Sequence, residues 1–421
     1  RMEKHVAVAA PLCETQNGFR PKRNSISHVW SLLEALAQRG PNALALFFDL
    51  RKAFPSVRRS SLLVELHRRG VQGKLWRLVA SFYCGTAGVV RVGDYVDTEA
   101  YPVSNGVKEG SLLSPLLFVL FIDDLLRAVR QAGLGYCFEG HEGQAVWAGM
   151  FGYADDLAAL PRSPADAQRI LDVCGSFARS HMCTFNHGKT VAMLMRPAPD
   201  LRTYPKDLKL TLACKVDKQG RAHELLNFVT EYEYLGVLIH SSGSLEPHVR
   251  MVVEPKVRRR LMALASTVLT RDVLTPTVSM QLVEMDVVSY VRYSCVLWGL
   301  ASWDAVGDTK LQEAIRRLDA IFRRPIEELV DVPRPSLHSA KLLKLSLGWL
   351  GLERVYSQSL RSLLRDFVGM SWDRLPLQRG GGSSIFEEVR SGEGGEVLAF
   401  VEDVRCLMKE ETLAREFRLR K

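Results

Sequence analysis

The sequence lacks most of what holds small, secreted or membrane-embedded proteins together. Its 421 residues include only eight cysteines. These are Cys13, Cys84, Cys137, Cys174, Cys183, Cys214, Cys295 and Cys406, and none forms a C-x-x-C pair or takes the Cys/His spacing of a zinc module. A zinc module and a disulfide framework are thereby excluded. Cysteines set among apolar neighbours are expected to be reduced core thiols of an intracellular protein, nuclear or cytoplasmic. Long apolar runs are missing too. The longest, Leu112 to Ile122, contains Ser114 and Pro115 and falls well short of the ~20 residues a bilayer-spanning helix needs. The opening residues do not read as a signal peptide, and the chain shows no internal repeat. Extracellular, membrane, collagen-like and disordered classes fall away. The chain starts at Arg1 rather than Met, which suggests a fragment of a longer protein.

What is present is ordinary in amount and uneven in placement. Hydrophobic residues make up 47% and charged residues 24%, enough for one large multi-lobed core or two to three ordinary domains. Lys plus Arg total 56 against 47 Asp plus Glu, a net +9. Residues 1–77 carry 14 of the basic and 5 of the acidic side chains, so the whole excess sits at the front. A basic front end fits a polyanionic partner such as nucleic acid; surface charge serving solubility is the alternative.

Periodicity divides the chain near residue 245. Val29, Leu32, Leu33 and Leu36 have helical spacing, with Ser27 as a candidate cap and Gly40-Pro41 as a stop. Ala43 to Phe48 is a continuous apolar run, as expected of a strand buried on both faces. Leu75, Leu78, Val79 and Phe82 repeat the helical spacing, and Gly93-Asp94 marks a hairpin. A long apolar helix should follow Ser114-Pro115, and the segment 148–160 reads as strand, tight turn and strand. Residues 165–182 read as a helix and 226–240 as strands. Beyond them the pattern turns helical over roughly 247–270, 274–300 and 306–330, with a Gly-rich stretch at 379–395 and a last helix at 396–419. The result is a mixed α/β body followed by a helical appendage.

The chemistry rests on carboxylates. Asp49 stands just past the buried strand, and Asp155-Asp156 tip the later hairpin. Each alone is as well explained by a turn. Together, one aspartate from a strand end and two from a neighbouring hairpin suit hard divalent cations, which take oxygen ligands. Two such ions about 3.5–4 Å apart can clamp the attacking and leaving oxygens of an in-line phosphoryl transfer. Asp123-Asp124, within an apolar helix, is read as structural, with one or both facing solvent or capping a neighbour. Gly106 and Gly110 permit close backbone approach to a ligand, ahead of a helix start at Ser114-Pro115 where free N–H groups favour anions.

FFDLRKAF, GVKEGSLLSPLLF, YADD, NHGKT and YLG occur in the order and approximate spacing of reverse transcriptase motifs A to E, and QNGFRPKRNS at 16–25 looks like that family's fingers motif. The resemblance covers about 14–240. YADD, the Tyr234-Leu235-Gly236 element and LWGLASW at 297–303 resemble the non-LTR (LINE-type) retrotransposon branch. LQEAIRRLDAIF and LSLGWL resemble the helical region that follows the polymerase there.

The resemblance implies an α+β right-hand polymerase, with fingers, a palm on an antiparallel sheet, a helical thumb and a helical C-terminal region. Fingers would come from 1–40 and 59–105, and the palm from 41–58 and 106–244. A thumb-like region would span 245–345, with a helical extension at 346–421. It implies an RNA-directed DNA polymerase that extends a DNA primer on an RNA template from dNTPs with two Mg²⁺ ions, or Mn²⁺ in their place. Asp49, Asp155, Asp156 and the Leu50 carbonyl would hold the metals, and Lys189 would serve the leaving pyrophosphate. Phe54 would exclude a 2′-OH, with a plain core Phe as the alternative. Arg20, Lys22 and Arg23 would meet the triphosphate, Glu109 and Gly110 would lie at the nucleotide, and Tyr234, Leu235 and Gly236 would grip the primer.

The basic run Arg250, Lys256, Arg258, Arg259 and Arg260 could track a duplex backbone or form a solvated face. Glu109 departs from the family's common glutamine and would either weaken nucleotide binding or pair with a basic neighbour. The family's first fingers strands precede Arg1, and no endonuclease module is expected within these residues. An RNA-binding or maturase-like remnant is the second reading, and a DNA-templated polymerase the third.

Overall fold

Asn24, rather than Ser27, begins the first helix, α1 (Ser25–Gln38): its side chain accepts the Ser27 N–H at 2.7 Å. Ser27 lies inside the first turn and donates its hydroxyl to the Asn24 carbonyl. The cap falls on the residue whose extended backbone leaves its side chain facing the open N–H groups. The computed structural model describes residues 11–139, 145–197, 208–213, 223–267, 281–304 and 308–330, with Val355 and Ser359. The Gly-rich stretch 379–395, the 396–419 helix, the 345–350 motif, Cys214 and Cys406 lie outside the described residues. Two compact units divide the chain, Arg1–Thr230 and Glu231–Lys421.

In the first unit the apolar run forms β1 (Ala43–Phe48), buried at all six positions. Side chains alternate across a strand, and Leu44, Leu46 and Phe48 enter one large cluster. That cluster includes Leu62 and Leu66 of α2 (Arg59–Arg68) and Val79 and Tyr83 of α3 (Gly73–Tyr83). It also takes Leu117, Phe118, Phe121 and Leu125 from α4 (Ser114–Gln131). Pro115 sits in the first turn of α4, where its missing N–H costs no hydrogen bond.

Next come β2 (Met150–Tyr153) and β3 (Asp156–Ala159), which form the hairpin read from the sequence. α5 (Pro164–His181) is capped by Ser163, whose hydroxyl accepts from the Asp166 N–H. β4 (Val191–Met195) and β5 (Asn227–Phe228) complete the sheet in the order β5-β4-β1-β3-β2. Its four main strands are antiparallel as expected, but β4 and β5 pair in parallel, so the sheet is mixed. The chain reaches β5 by a connection of some thirty residues rather than a tight turn, which permits the parallel approach. The hairpin around Gly93-Asp94 forms as Arg91–Val92 paired with Tyr95–Val96, exposed on both strands.

Asp123 is the buried member of its pair. It neither faces solvent nor caps a neighbour: its side chain is fully buried and accepts from Arg69 Nη1, Arg127 Nε and the Cys13 N–H. An apolar helix tolerates this carboxylate because two guanidinium groups and a backbone donor replace its water.

The second unit opens with the hairpin β6 (Glu231–Tyr234) and β7 (Val237–His240), joined by Leu235-Gly236. Both turn residues are left-handed, φ 49° and 75°, the backbone of a two-residue hairpin loop. A π-helical turn at Val249–Val253 leads into α6 (Glu254–Thr267), and another at Glu284–Val288 leads into α7 (Ser289–Asp304); α8 (Thr309–Val330) follows. These match the three expected helices, apart from 274–280, which is outside the described residues. Arg250, Arg258 and Arg260 of the basic run pair with Glu246, Glu254 and Asp286. These three arginines are 40–54% exposed, each beside a carboxylate of the same unit.

Of the described cysteines, Cys13, Cys174, Cys183 and Cys295 are buried and all are free thiols. Burial pushes the Cys183 and Cys295 thiols up to about 11. No helix among the described residues is long and apolar enough to cross a membrane.

Candidate active site

The sheet brings Asp49 to the YADD turn. β1 and β3 pair antiparallel, with Leu46 opposite Ala159, Phe47 opposite Ala158 and Phe48 opposite Leu157. Asp49 follows Phe48 and Asp156 precedes Leu157, so both carboxylates stand at the same end of this ladder. The electrostatics agree. Burial first, then Asp155 and Asp49, push the Asp156 carboxyl up to about 6. Burial also raises Asp155, against its own backbone hydrogen bond, and Asp49 adds to the rise. Three carboxylates thus repel one another in a partly desolvated corner, a charge that a divalent cation would relieve.

Among the described residues, no group of three or more His, Cys, Asp or Glu side chains forms a ready-made metal cage. The arrangement fits a site of the open kind, in which one or two carboxylates hold Mg²⁺ together with substrate phosphates.

The NHGKT turn is tied to the strand that carries Asp49. Asn186 N–H donates to the Asp49 carbonyl at 2.8 Å, and Arg51 N–H donates to the Thr184 carbonyl at 2.9 Å. These two bonds flank an isolated antiparallel bridge between Leu50 and Phe185. Within the turn, the Lys189 and Thr190 N–H groups both donate to the Asn186 carbonyl. Thr190 is buried, while the Lys189 side chain is exposed.

Phe54 is half-buried and stacks on Phe118, with ring centroids 4.9 Å apart, and meets Phe19 edge-on. The loop before α4 is bonded to the same segment: Val107 N–H donates to the Phe54 carbonyl and Gly106 N–H to the Val57 carbonyl. Gly106 has φ +87°, and a Cβ there would stand 3.0 Å from Pro55 Cα, so only glycine fits. Arg59 adds a clamp, donating to the Gly106, Tyr83 and Val103 carbonyls and to Thr86. Beyond it Lys108, Glu109 and Gly110 are exposed, and Leu112 is fully so.

The segment 13–23 lies against the YADD hairpin. Asn17 N–H donates to the Gly152 carbonyl at 2.8 Å, and Gly152 N–H to the Thr15 carbonyl at 3.0 Å, extending the sheet past β2. Here the basic residues differ in their contacts. Arg20 Nη1 donates to the Cys13 and Gln16 carbonyls, and Arg23 bonds Asn17 Oδ1 and pairs with Glu14. Lys22 is exposed on a left-handed turn, φ 60°.

Asn17 Nδ2 donates to His28 Nδ1 at 2.7 Å, an orientation set by Arg23 on the Asn17 oxygen. His28 packs edge-on to Phe151 and Tyr153. Burial, then Arg23, lowers its pKa to about 3, so it stays neutral beneath the hairpin. Gly18 packs on the Ala154 backbone: a Cβ there would fall on Ala154 N and lie 3.0 Å from Ala154 Cα. Gly18→Ala should therefore displace the turn and lower any activity of the site by about 10²-fold; an unchanged turnover number would show that the contact does not hold the turn. Sequence reasoning missed Gln16, Gly18 and His28 as site residues. Their signal was only the compact Gln-Asn-Gly before a helix, which by itself marks a turn.

In the second unit, taken by itself, Tyr234 is buried, and Tyr293 Oη donates to the Leu235 carbonyl at 2.5 Å. Leu235 and Gly236 are thus a stiff, left-handed tip.

The reverse transcriptase (RNA-dependent DNA polymerase) family matches residues 1–239. A Pol polyprotein of the type-1 retrotransposable element R2 from Popillia japonica is 25% identical over 201 residues, 48% of this chain and 31% of that protein. An RNA-directed DNA polymerase from the mobile element jockey of Drosophila funebris is 26% identical over 305 residues, 70% of this chain and 30% of that protein. The chain therefore spans less than a third of either relative. A telomerase from Candida albicans, in complex with a fragment of telomeric RNA, covers 89% of this chain at TM-score 0.37 and 11% identity, too distant to carry an argument. The chain belongs to the reverse transcriptase family. Its relatives within that family come from non-LTR retrotransposons, the branch that the sequence motifs resemble.

Proposed function

We propose that this chain is an RNA-directed DNA polymerase from a retrotransposon, extending a DNA primer on an RNA template from dNTPs inside the cell. The observation that carries the reading is the placement of Asp49 at the same end of the β1–β3 ladder as the YADD turn, where burial first and then the Asp49 charge raise both hairpin aspartates. Asp49, Asp155, Asp156 and the Leu50 carbonyl would hold two Mg²⁺ ions. Bound there, the metals would sharpen the attacking primer 3′-oxygen and neutralise the leaving pyrophosphate. Lys189, exposed on a turn bonded to Asp49's own carbonyl, would meet that pyrophosphate by charge or by proton donation.

Arg20, oriented by its bonds to the Cys13 and Gln16 carbonyls, would meet the triphosphate with Lys22 or Arg23 beside it. Gly110 would allow close approach of the nucleotide, with Glu109 beside it, and Leu235 and Gly236 on Tyr234 would grip the primer. The right-hand division into fingers, palm and thumb belongs to this proposal.

Phe54, held by its stack on Phe118, would stand under the sugar of the incoming nucleotide. Phe54→Val should then raise ribonucleotide use relative to dNTPs by roughly 10- to 100-fold, the scale at which pocket contacts discriminate. Unchanged discrimination in single-nucleotide incorporation would remove Phe54 from this role. The function itself is tested by primer extension in Mg²⁺ on RNA and DNA templates. Incorporation on RNA supports it, and salt-sensitive RNA binding without incorporation in Mg²⁺ or Mn²⁺ would select an RNA-binding remnant instead.

A further inference from the structure

Gln16 is fully buried, although a glutamine normally keeps its amide in water. Its Oε1 accepts two backbone N–H groups, Gly18 at 2.9 Å and Ala154 at 3.1 Å. Both partners are donors, so the oxygen is assigned to this side of the amide by its bonds. Nε2 is buried without a hydrogen-bond partner among the described residues and lies over Gly152, where a Cβ would come within 2.7 Å of it. The useful atom is therefore the acceptor oxygen, and the glycine at 152 makes room for the amide that carries it.

Ala154 is an unusual residue to find at the other end of this bond. Its φ is +58°, a left-handed conformation that costs an alanine about 1 kcal/mol and persists only where its surroundings impose it. It immediately precedes Asp155 and Asp156. Three contacts impose the conformation: the Gln16 oxygen on the Ala154 N–H, the Gly18 backbone against Ala154, and the two-way backbone pairing of residues 15–17 with Gly152. All of these come from the segment 15–18, more than 130 residues away in the chain.

We infer that Gln16 is a positioning residue of the polymerase site, acting through the Ala154 N–H to set the turn from which Asp155 and Asp156 reach the metals. It touches no substrate itself. The inference rests on the proposed function, and it accounts for Gln-Asn-Gly as scaffold for the YADD turn rather than as part of a phosphate-binding loop.

The test compares Gln16→Met, which keeps the volume and removes the acceptor, with Gln16→Glu, whose carboxyl, held protonated by full burial, keeps the acceptor oxygen and puts a neutral hydroxyl where the unpartnered nitrogen stood. Steady-state dNTP incorporation is measured alongside hydrogen exchange of peptides covering 150–158 and, as a control, β1. The methionine variant should lose about 10²-fold in turnover with little change in nucleotide KM, the scale of a small misplacement of reacting groups. It should also lose exchange protection at the YADD turn while β1 stays protected. The glutamate variant should restore protection and most of the turnover.

Wild-type turnover and turn protection in the methionine variant would overturn the inference. So would a loss of protection that spreads through β1, which would make Gln16 a general stability residue. Exchange reads the turn whether or not the wild type polymerises, so an inactive wild type would count against the proposed function and leave the positioning contact separately measurable.

Discussion

Asp156→Asn should abolish primer extension, by about 10³-fold or more if a metal-clamp carboxylate is worth several kcal/mol of transition-state stabilisation, and should also make the metal-free protein more stable at neutral pH. The two effects have one cause. Burial, Asp155 and Asp49 together push the Asp156 carboxyl up to about 6, from an ordinary value of 3.8. The folded state therefore keeps a proton that the unfolded chain has released. Its stabilising contribution is fully present below pH ~4 and is lost as pH rises through about 6.

At pH 7.5 the ionised group opposes folding by roughly 1–2 kcal/mol, after a discount for its partial exposure. Asparagine removes that opposition. Metal-free Asp156→Asn should then melt roughly 2–8 °C above wild type at pH 7.5, with the gap closing below pH 4. Mg²⁺ should raise the wild-type melting temperature more than that of the variant. Calorimetry at the two pH values, with and without Mg²⁺, reads this directly. Equal melting temperatures at pH 7.5, or persisting primer extension by the variant, would refute the assignment.

Asp123→Ala should cause the largest loss of stability, about 3–5 kcal/mol, because it removes one of the two carboxylates that hold the buried Arg69 guanidinium and also unbonds Arg127 and the Cys13 N–H. Arg69 has a side chain 5% exposed and lies 2.8 Å from Asp123, itself at 0%. Burial alone would lower the Arg69 pKa, but Asp123 and Glu65 together raise it, so the pair is held charged. The same carboxylate anchors the Cys13 N–H at 2.7 Å, at the head of the segment that braces the YADD turn. A fall of roughly 6–20 °C in melting temperature is expected for a unit of this size. Replacing all three buried charges, as Asp123→Leu with Arg69→Met and Glu65→Leu, should cost much less, since no buried charge is then stranded. If the triple replacement destabilises as much as Asp123→Ala, the stranded charge is not the cause of the loss.

These two aspartates show where sequence reasoning ends. Asp123-Asp124 and Asp155-Asp156 are the same dipeptide, each beside apolar residues. The motifs propose different roles for the two pairs, and the structure shows that Asp123 is the buried member of its pair. Its surroundings come from Arg69, 54 residues upstream, and Cys13, 110 upstream, and no local period records such partners. The basic front end sharpened in the same way. Arg20 and Arg23 read as phosphate-facing charge, and the structure adds the backbone carbonyls, amide oxygen and Glu14 that orient their guanidinium groups.

By itself the sequence determined the family and most of the described strands and helices, and it supplied the residues proposed to carry chemistry. Apolar spacing of two or 3.6 residues, turn residues and ordered motifs are all written within short windows of chain. Only the tertiary structure decided which charges are buried and paired, that Asn24 rather than Ser27 caps the first helix, and that one edge of the sheet is parallel. It also decided what holds the YADD turn in a left-handed bend. Those outcomes depend on which distant groups replace water around a polar atom, and that is settled only when the chain has closed on itself.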